Sequence, residues 1–395
     1  MMRDPLQALA EARPAHLDPA APIPDGTRAT ELARAMAGPA DRTGDRAPRH
    51  SRRAVRSLWG LGLVGAAAAA ALVVATTGTG GESVDRAVPA PATTTLSART
   101  VLLSAAESSL KAPAAGGAYW YVAGEYGHVN LVGTKVRYLV ADRSGHQQWT
   151  ARSPKGESRF VDQGLGAAPL TAADKAAWQQ DGSPASWQVT VGKPKAGNPK
   201  AVGRLLLESA PRKPFGGQTN LGDKVFDLAG RNVTVAELQA LPADPAGLKR
   251  RILQGYAGHG TESSGDPMAR DPWLFQVTTG LLREMPVKPA VRAAAYKILA
   301  GLKGVRSLGQ VTDPLGRTGQ GIGMRETNAL GTSERQIIVN PATGILLTDQ
   351  TVAVRGTGAN AWAKPGTLLY WDATKTAGWT DDKPVRANPP GSPRG

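Results

Sequence analysis

The chain contains no cysteine, and aromatic residues make up only 5% of its 395 positions. The first absence removes disulfides, thiol nucleophiles, zinc–thiolate sites and iron–sulfur clusters together. An extracytoplasmic location stays open, because a chain of this length can build a core without disulfide staples. Histidine is almost as scarce: His16, His50, His128, His146 and His259, none at the His-x-x-x-His spacing of a metal site. Glu125 and His128 are near neighbours, but the local pattern is a strand end or turn, and it predicts structural or surface roles. There is no Gly-x-Ser-x-Gly elbow and no Walker sequence. Ser108 and Lys111 fit Ser-x-x-Lys without the partner motifs that give it meaning. "GQGIG" (319–323) lacks the spacing of a dinucleotide fingerprint and reads as a strand whose glycines permit a bend or a close backbone approach. No catalytic residue, metal or cofactor is therefore expected. The net charge of +15 comes without a nucleic-acid-binding motif, so it reads as a solvated basic surface and not as a nucleic-acid interface.

One long uncharged run is present. Residues 58–77, "LWGLGLVGAAAAAALVVATT", carry no charge from Leu58 to Thr77. As a helix they would rise roughly 30 Å, enough for a bilayer core. Arg49, Arg52, Arg53 and Arg56 precede the run, whereas the first charge after it is Glu82. The positive-inside rule then predicts a cytoplasmic N-terminus and an extracytoplasmic C-terminal part. A cleaved signal peptide is the rival reading, but its leader is usually short, and more than fifty residues stand before this run. The expected layout is an inside segment (1–56), a transmembrane helix (57–77), a Gly, Pro and Thr-rich linker (78–94), a folded domain (95–382) and a disordered tail (383–395). In the inside segment "DPLQALAEAR" (4–13) and "DGTRATELARAMAG" (25–38) read as short helices. Either they form a docking peptide for a cytoplasmic regulator, or they belong to a disordered leader that supplies positive charge.

Within the folded domain, "TLSARTVLLSAAESSL" (95–110) predicts a helix burying Leu96, Leu103, Ala106 and Leu110. "AYWYV" (118–122) follows with period two, so Trp120 and the pair Tyr119/Tyr121 must point to opposite faces. Trp120 is expected to pack in the core, and Tyr119 and Tyr121 are the candidates for lining a groove. Hairpins are predicted at "DRSG" (142–145), "DPLG" (313–316) and "PATG" (341–344), each between apolar runs. "GTLLYWD" (366–372) reads as the last strand. Helix starts are predicted at Thr171, Thr234, Asp244 and Asp271, and "KPAVRAAAYKILAGL" (288–302) sets Val291, Ala295, Ile298 and Leu302 on one face. "GKPKAGNPK" (192–200) is a basic loop, and Lys249, Arg250 and Arg251 are the outer face of an amphipathic helix. The sum is an α+β domain: a curved antiparallel sheet with helices packed on one side.

"TVAELQALPADPAGLKRRIL" (234–253), "LLREMPVKPAVRAAAYKILAGLKGVRSLGQVTDPLGRTGQGI" (281–322) and "IIVNPATGILLTDQTV" (337–352), with "AYWYV" and "TAADKAAW" (171–178), resemble a family of actinobacterial single-pass membrane proteins of unknown function. Members are often encoded near extracytoplasmic-function sigma factors, which implies a role in envelope signalling. The zinc type of anti-sigma factor needs paired cysteines, so the absence of cysteine excludes that type. The order of elements is also similar, at fold level, to lipoprotein-carrier and related periplasmic sensor domains, where a curved sheet wraps a helix. The resemblance implies a membrane-anchored extracytoplasmic binding or sensing module with a lipid or lipoprotein ligand and a cytoplasmic regulator at residues 1–56. The alternatives are a tethered lipid or lipoprotein carrier and, third, a hydrolase whose Asp, Glu, His or Ser residues are scattered along the chain. The carrier requires a large apolar cavity, and the hydrolase requires a titratable cluster in a cleft.

Overall fold

The computed structural model describes residues 96–113, 116–191, 203–219, 224–260, 266–385 and 387. The segment 1–56 with its arginines, the run from Leu58 to Thr77, the linker 78–94, the basic loop 192–200 and most of the tail lie outside the described residues. Among the described residues no helix is long and apolar enough to cross a membrane.

The domain is α+β, built on a nine-stranded sheet in which every pairing is antiparallel. Helix α1 (Ala98–Leu110) leads into β1 (Tyr119–Val132), β2 (Tyr138–Ala151) and β3 (Arg159–Pro169). Then come α2 (Ala172–Gln180), the ribbon β4 (Ser186–Val191) and β5 (Gly203–Glu208), and the short edge strand β6 (Phe215–Gln218). Two two-residue strands, β7 (Phe226–Asp227) and β8 (Asn232–Val233), precede four helices: α3 (Val235–Gln239), α4 (Pro245–Leu253), α5 (Arg270–Glu284) and α6 (Pro289–Ala300). The chain ends in β9 (Arg306–Thr312), β10 (Thr318–Asn328), β11 (Gly331–Asn340), β12 (Ile345–Gly356) and β13 (Leu368–Thr380). The sheet order is β6-β3-β2-β1-β13-β12-β11-β10-β9, so the last strand joins the two halves by pairing with the first.

Two of the expected hairpins form, at 313–316 and 341–344. The third does not. Asp142–Gly145 lies in the middle of β2, paired with β1 and β3 on either side, and the β1–β2 connection falls at residues 133–137. An Asp-x-x-Gly segment makes a turn only when its backbone is free, and here both edges of the strand are taken. The first helix is also rotated from expectation. Ala98, Val101, Leu102, Ala105, Ala106 and Ser109 are buried, while Leu96 and Leu110 are about half exposed. The small side chains let α1 lie close against α6, while Leu96 precedes the helix and Leu110 is its last residue. Thr171 and Thr234 form capping boxes with Asp174 and Glu237, and Asp244 caps α4 ahead of Pro245. Asp271 is not a cap: α5 begins at Arg270, and Asp271 instead accepts from the Lys303 backbone N–H at 3.0 Å.

Alternation along the strands separates two faces. On the helical face the main core joins α1, α3, α4, α5 and α6 to Trp120, Val122, Ile322, Met324, Ile337, Val339 and Leu346. Val291, Ala295, Ile298 and Leu302 are all buried in it. Farther along the same face Val132, Tyr138 and Val140 make a second cluster with Trp187, Val189 and Leu207, capped by α2. On the opposite face Val129, Ala141, Trp371 and Ala373 form a third.

Candidate functional site

Two polar regions lie back to back on the central strands. The first is on the helical face, between the main core and the second cluster. The register β3-β2-β1-β13 lines up Asp162 with His146, Ser144 with Tyr126 and Asp372, and Asp142 with His128 and Tyr370. These side chains form a half-buried trough, with the Tyr126 ring 5.9 Å from His146 and the His128 ring 4.8 Å from Tyr370. Gly124 makes room for His146: a Cβ there would sit 2.5 Å from the imidazole. At one side Arg283, from the end of α5, bonds Asp372 at 2.7 Å and reaches Asp349, which Arg335 also grips.

Burial dominates the electrostatics of the trough. It raises the carboxyl pKa values of Asp142, Asp162 and Asp372, with Arg212, His146 and Arg283 respectively offsetting part of the shift. It raises Tyr126 and Tyr370 too. The dense surroundings of His128 lower its pKa against the pull of Asp142, although part of the ring meets solvent. Among the described residues neither Asp142 nor Asp162 has an ion-pair partner within 4 Å, and His146 Nδ1 and Asp372 Oδ1 are buried without a hydrogen bond. No group of three or more His, Asp or Glu residues among them is placed to hold a metal ion.

The second region is an open cavity of about 660 Å³ on the opposite face. Its polar wall comprises Glu125 from β1, Arg143 from β2, Gln336 from β11, Gln350 from β12 and Asp313 from the β9–β10 turn, with Trp371 of β13 also lining it. Glu125 is buried and balanced by Arg143 at 3.8 Å and Lys375 at 3.2 Å. Asp313 is held by Arg317, by Thr348 and by the backbone N–H groups of Leu315 and Arg317. The Gln350 amide donates to Gln336, whose own amide donates to Glu334. Trp371 is 3% exposed and lies against Gly127, where a Cβ would come within 2.2 Å of the ring. The Trp371 indole N–H and the Arg143 Nε–H are buried donors without an acceptor among the described residues.

Tyr119 and Tyr121 share the cavity's face but do not line it. Tyr121 rests on Trp149 with ring centroids 4.8 Å apart and donates to Gln147 at 3.1 Å. Trp120 points the other way into the main core, donates to the Glu284 carbonyl and meets Trp379 edge-on. The residues that do line the cavity come from seven strands and the segments between them, and no local sequence pattern joins them. The strand end or turn expected at Glu125 and His128 is instead the interior of β1, paired with β2 on one side and β13 on the other.

Comparison with protein-family models, with curated proteins and with solved structures found no match.

Proposed function

We propose that the chain is a membrane-anchored binding or sensing module, with an extracytoplasmic domain that takes a small ligand in the cavity and a cytoplasmic segment, 1–56, that meets a regulator. The observation that carries the binding half is the cavity itself: about 660 Å³, inside the range of small-molecule sites, with polar groups converging on it. The lipoprotein-carrier-like curvature belongs to the same proposal. Ala168 and Pro169 at the end of β3 and Asp313 and Pro314 in the turn that leads into β10 both border the cavity. In a flat sheet those strands would stand six spacings apart, roughly 29 Å, so their approach supports a curled sheet with the turn folded over it.

The carrier alternative needs an apolar chamber. The helical face carries packed helices and the polar trough, and the cavity on the other face is walled by two carboxylates, a guanidinium and two amides, so an acyl chain would strand polar groups. The hydrolase alternative gains one specific observation, the trough of aspartates, histidines and tyrosines. It lacks the bond that would make a base of either imidazole: His146 Nδ1 has no partner to orient it, and no nucleophile is hydrogen-bonded to His128 or His146 among the described residues.

Topology is tested by reporter fusions before residue 58 and after residue 385, which are expected to report opposite sides of the membrane. Pull-downs with the full chain and with a chain lacking 1–56 test the signalling half. Recovery of a sigma factor or other regulator only by the full chain supports it, and recovery of none removes it.

A further inference from the structure

We infer that the cavity on the opposite face takes an uncharged, polyhydroxylated ligand, a saccharide. This rests on the reading of the cavity as the ligand site and adds the ligand's chemistry. The charge balance comes first. Glu125 is bonded by both Arg143 and Lys375, and Asp313 by Arg317, so every charge at the wall already has a partner of opposite sign, although the set sums to one positive charge. An anion would have to displace Glu125 from its cations, and a cation would have to displace Arg143 or Lys375 from Glu125. Either exchange loses about what it gains.

The hydrogen-bonding inventory comes second. The wall offers donors and acceptors side by side: the Arg143 guanidinium, the Glu125 carboxylate and the amides of Gln336 and Gln350. Two further donors on lining residues, the Trp371 indole N–H and the Arg143 Nε–H, lack an acceptor among the described residues but are closed to solvent, so a ligand meets the half-exposed Arg143 at its terminal guanidinium nitrogens. A hydroxyl accepts from such a donor and donates to a carboxylate beside it, and adjacent hydroxyls do both at once. Leu368 and Val352 supply the apolar contact that the C–H face of a sugar ring needs.

A peptide is also neutral with donors and acceptors. Its backbone, however, is recognised at a free sheet edge. The cavity floor, Glu125, Trp371 and Gln350, lies on β1, β13 and β12, interior strands paired on both sides there, and Thr312 is the one lining residue on the edge strand β9. That floor reads a ligand through side chains, which favours hydroxyls over a peptide backbone.

The test uses the full chain in a detergent without a sugar headgroup, with calorimetric titration and thermal shift. The probes are maltose, cellobiose and chitobiose, against inorganic phosphate, spermidine, palmitate and a blocked tripeptide. A saccharide is expected to bind and to raise Tm. Glu125→Gln, which keeps the shape, and Gln350→Leu are each expected to weaken it about tenfold, the worth of one good hydrogen bond. Co-sedimentation with an insoluble polysaccharide separates a free sugar from a glycan chain as the source. Saccharide binding that both variants leave unchanged overturns the proposal. Binding of phosphate, spermidine, palmitate or tripeptide in place of saccharide, and sensitive to both variants, overturns the saccharide and leaves the cavity as a ligand site. No binding by any probe overturns both.

Discussion

Gly127 and Trp371 show how much a single hydrogen can decide. The indole lies on the bare backbone of Gly127, and an added Cβ would come within 2.2 Å of its ring atoms. Gly127→Ala is expected to cost roughly 1–3 kcal/mol through overpacking and to tilt Trp371 away from the cavity wall. Denaturant unfolding and Trp fluorescence check both effects. Asp162 carries a prediction of the opposite sign. Burial raises its carboxyl pKa, so the folded state holds its proton more tightly than the unfolded chain does. Its contribution is favourable at low pH and is lost as pH rises through the ordinary carboxylate range toward the folded value. Asp162→Asn is therefore expected to raise Tm at neutral pH and to flatten the pH dependence between the ordinary carboxylate value and the raised folded value. A Tm that falls at every pH would show that the charge has a partner in solution. Period two separates Trp120 from Tyr119 and Tyr121, and the burial that a large aromatic supplies assigns Trp120 to the core, where it lies. The glycines and Asp162 gave no such pattern, because what they do depends on neighbouring strands.

At the scale of elements, local signals were legible wherever they were complete within a few residues. The capping boxes at Thr171 and Thr234, the Asp244-Pro245 start and the turns with Pro and Gly are all of this kind. The misread turn at Asp142–Gly145 is different. Those residues are polar because one face of β2 floors the trough and the other supplies Arg143 to the cavity, and only the paired sheet reveals that. The true β1–β2 connection is held from a distance. Asp181, just after α2, accepts from the backbone N–H groups of Thr134 and Lys135 and from the hydroxyls of Thr134 and Tyr138. These bonds, led by that from Lys135, hold its pKa at about 2. Asp181→Ala is expected to free the connection: hydrogen exchange at Thr134 and Lys135 should accelerate at least several-fold while the amides of β12 keep their protection. Equal acceleration in both places would mean that Asp181 supports the whole domain and not one turn.

For the whole molecule the α+β character was readable from hairpins and helix starts, but the order of strands was not. The decisive pairing is β1 with β13, which joins Tyr119 to Thr380 and His128 to Tyr370 across most of the domain's length. Nothing in a local pattern encodes so distant a contact, and both polar regions depend on it. Asp372 and Tyr370 complete the trough on one face of β13, and Trp371 lines the cavity on the other. β13 also covers the inner edges of β1 and β12 and carries Ala373 and Trp379 into two of the packed clusters. A chain ending at Thr367 would keep every other strand yet leave two sheets, each with a new open edge and an uncovered apolar patch. It is expected to lose cooperative unfolding and the near-ultraviolet circular dichroism of its packed tryptophans. Adding residues 368–387 as a separate peptide should restore part of that signal, since the missing element is one strand with both partners waiting. Native-like cooperative unfolding without β13 would show that the two halves fold independently, and the cavity between them would then need another origin.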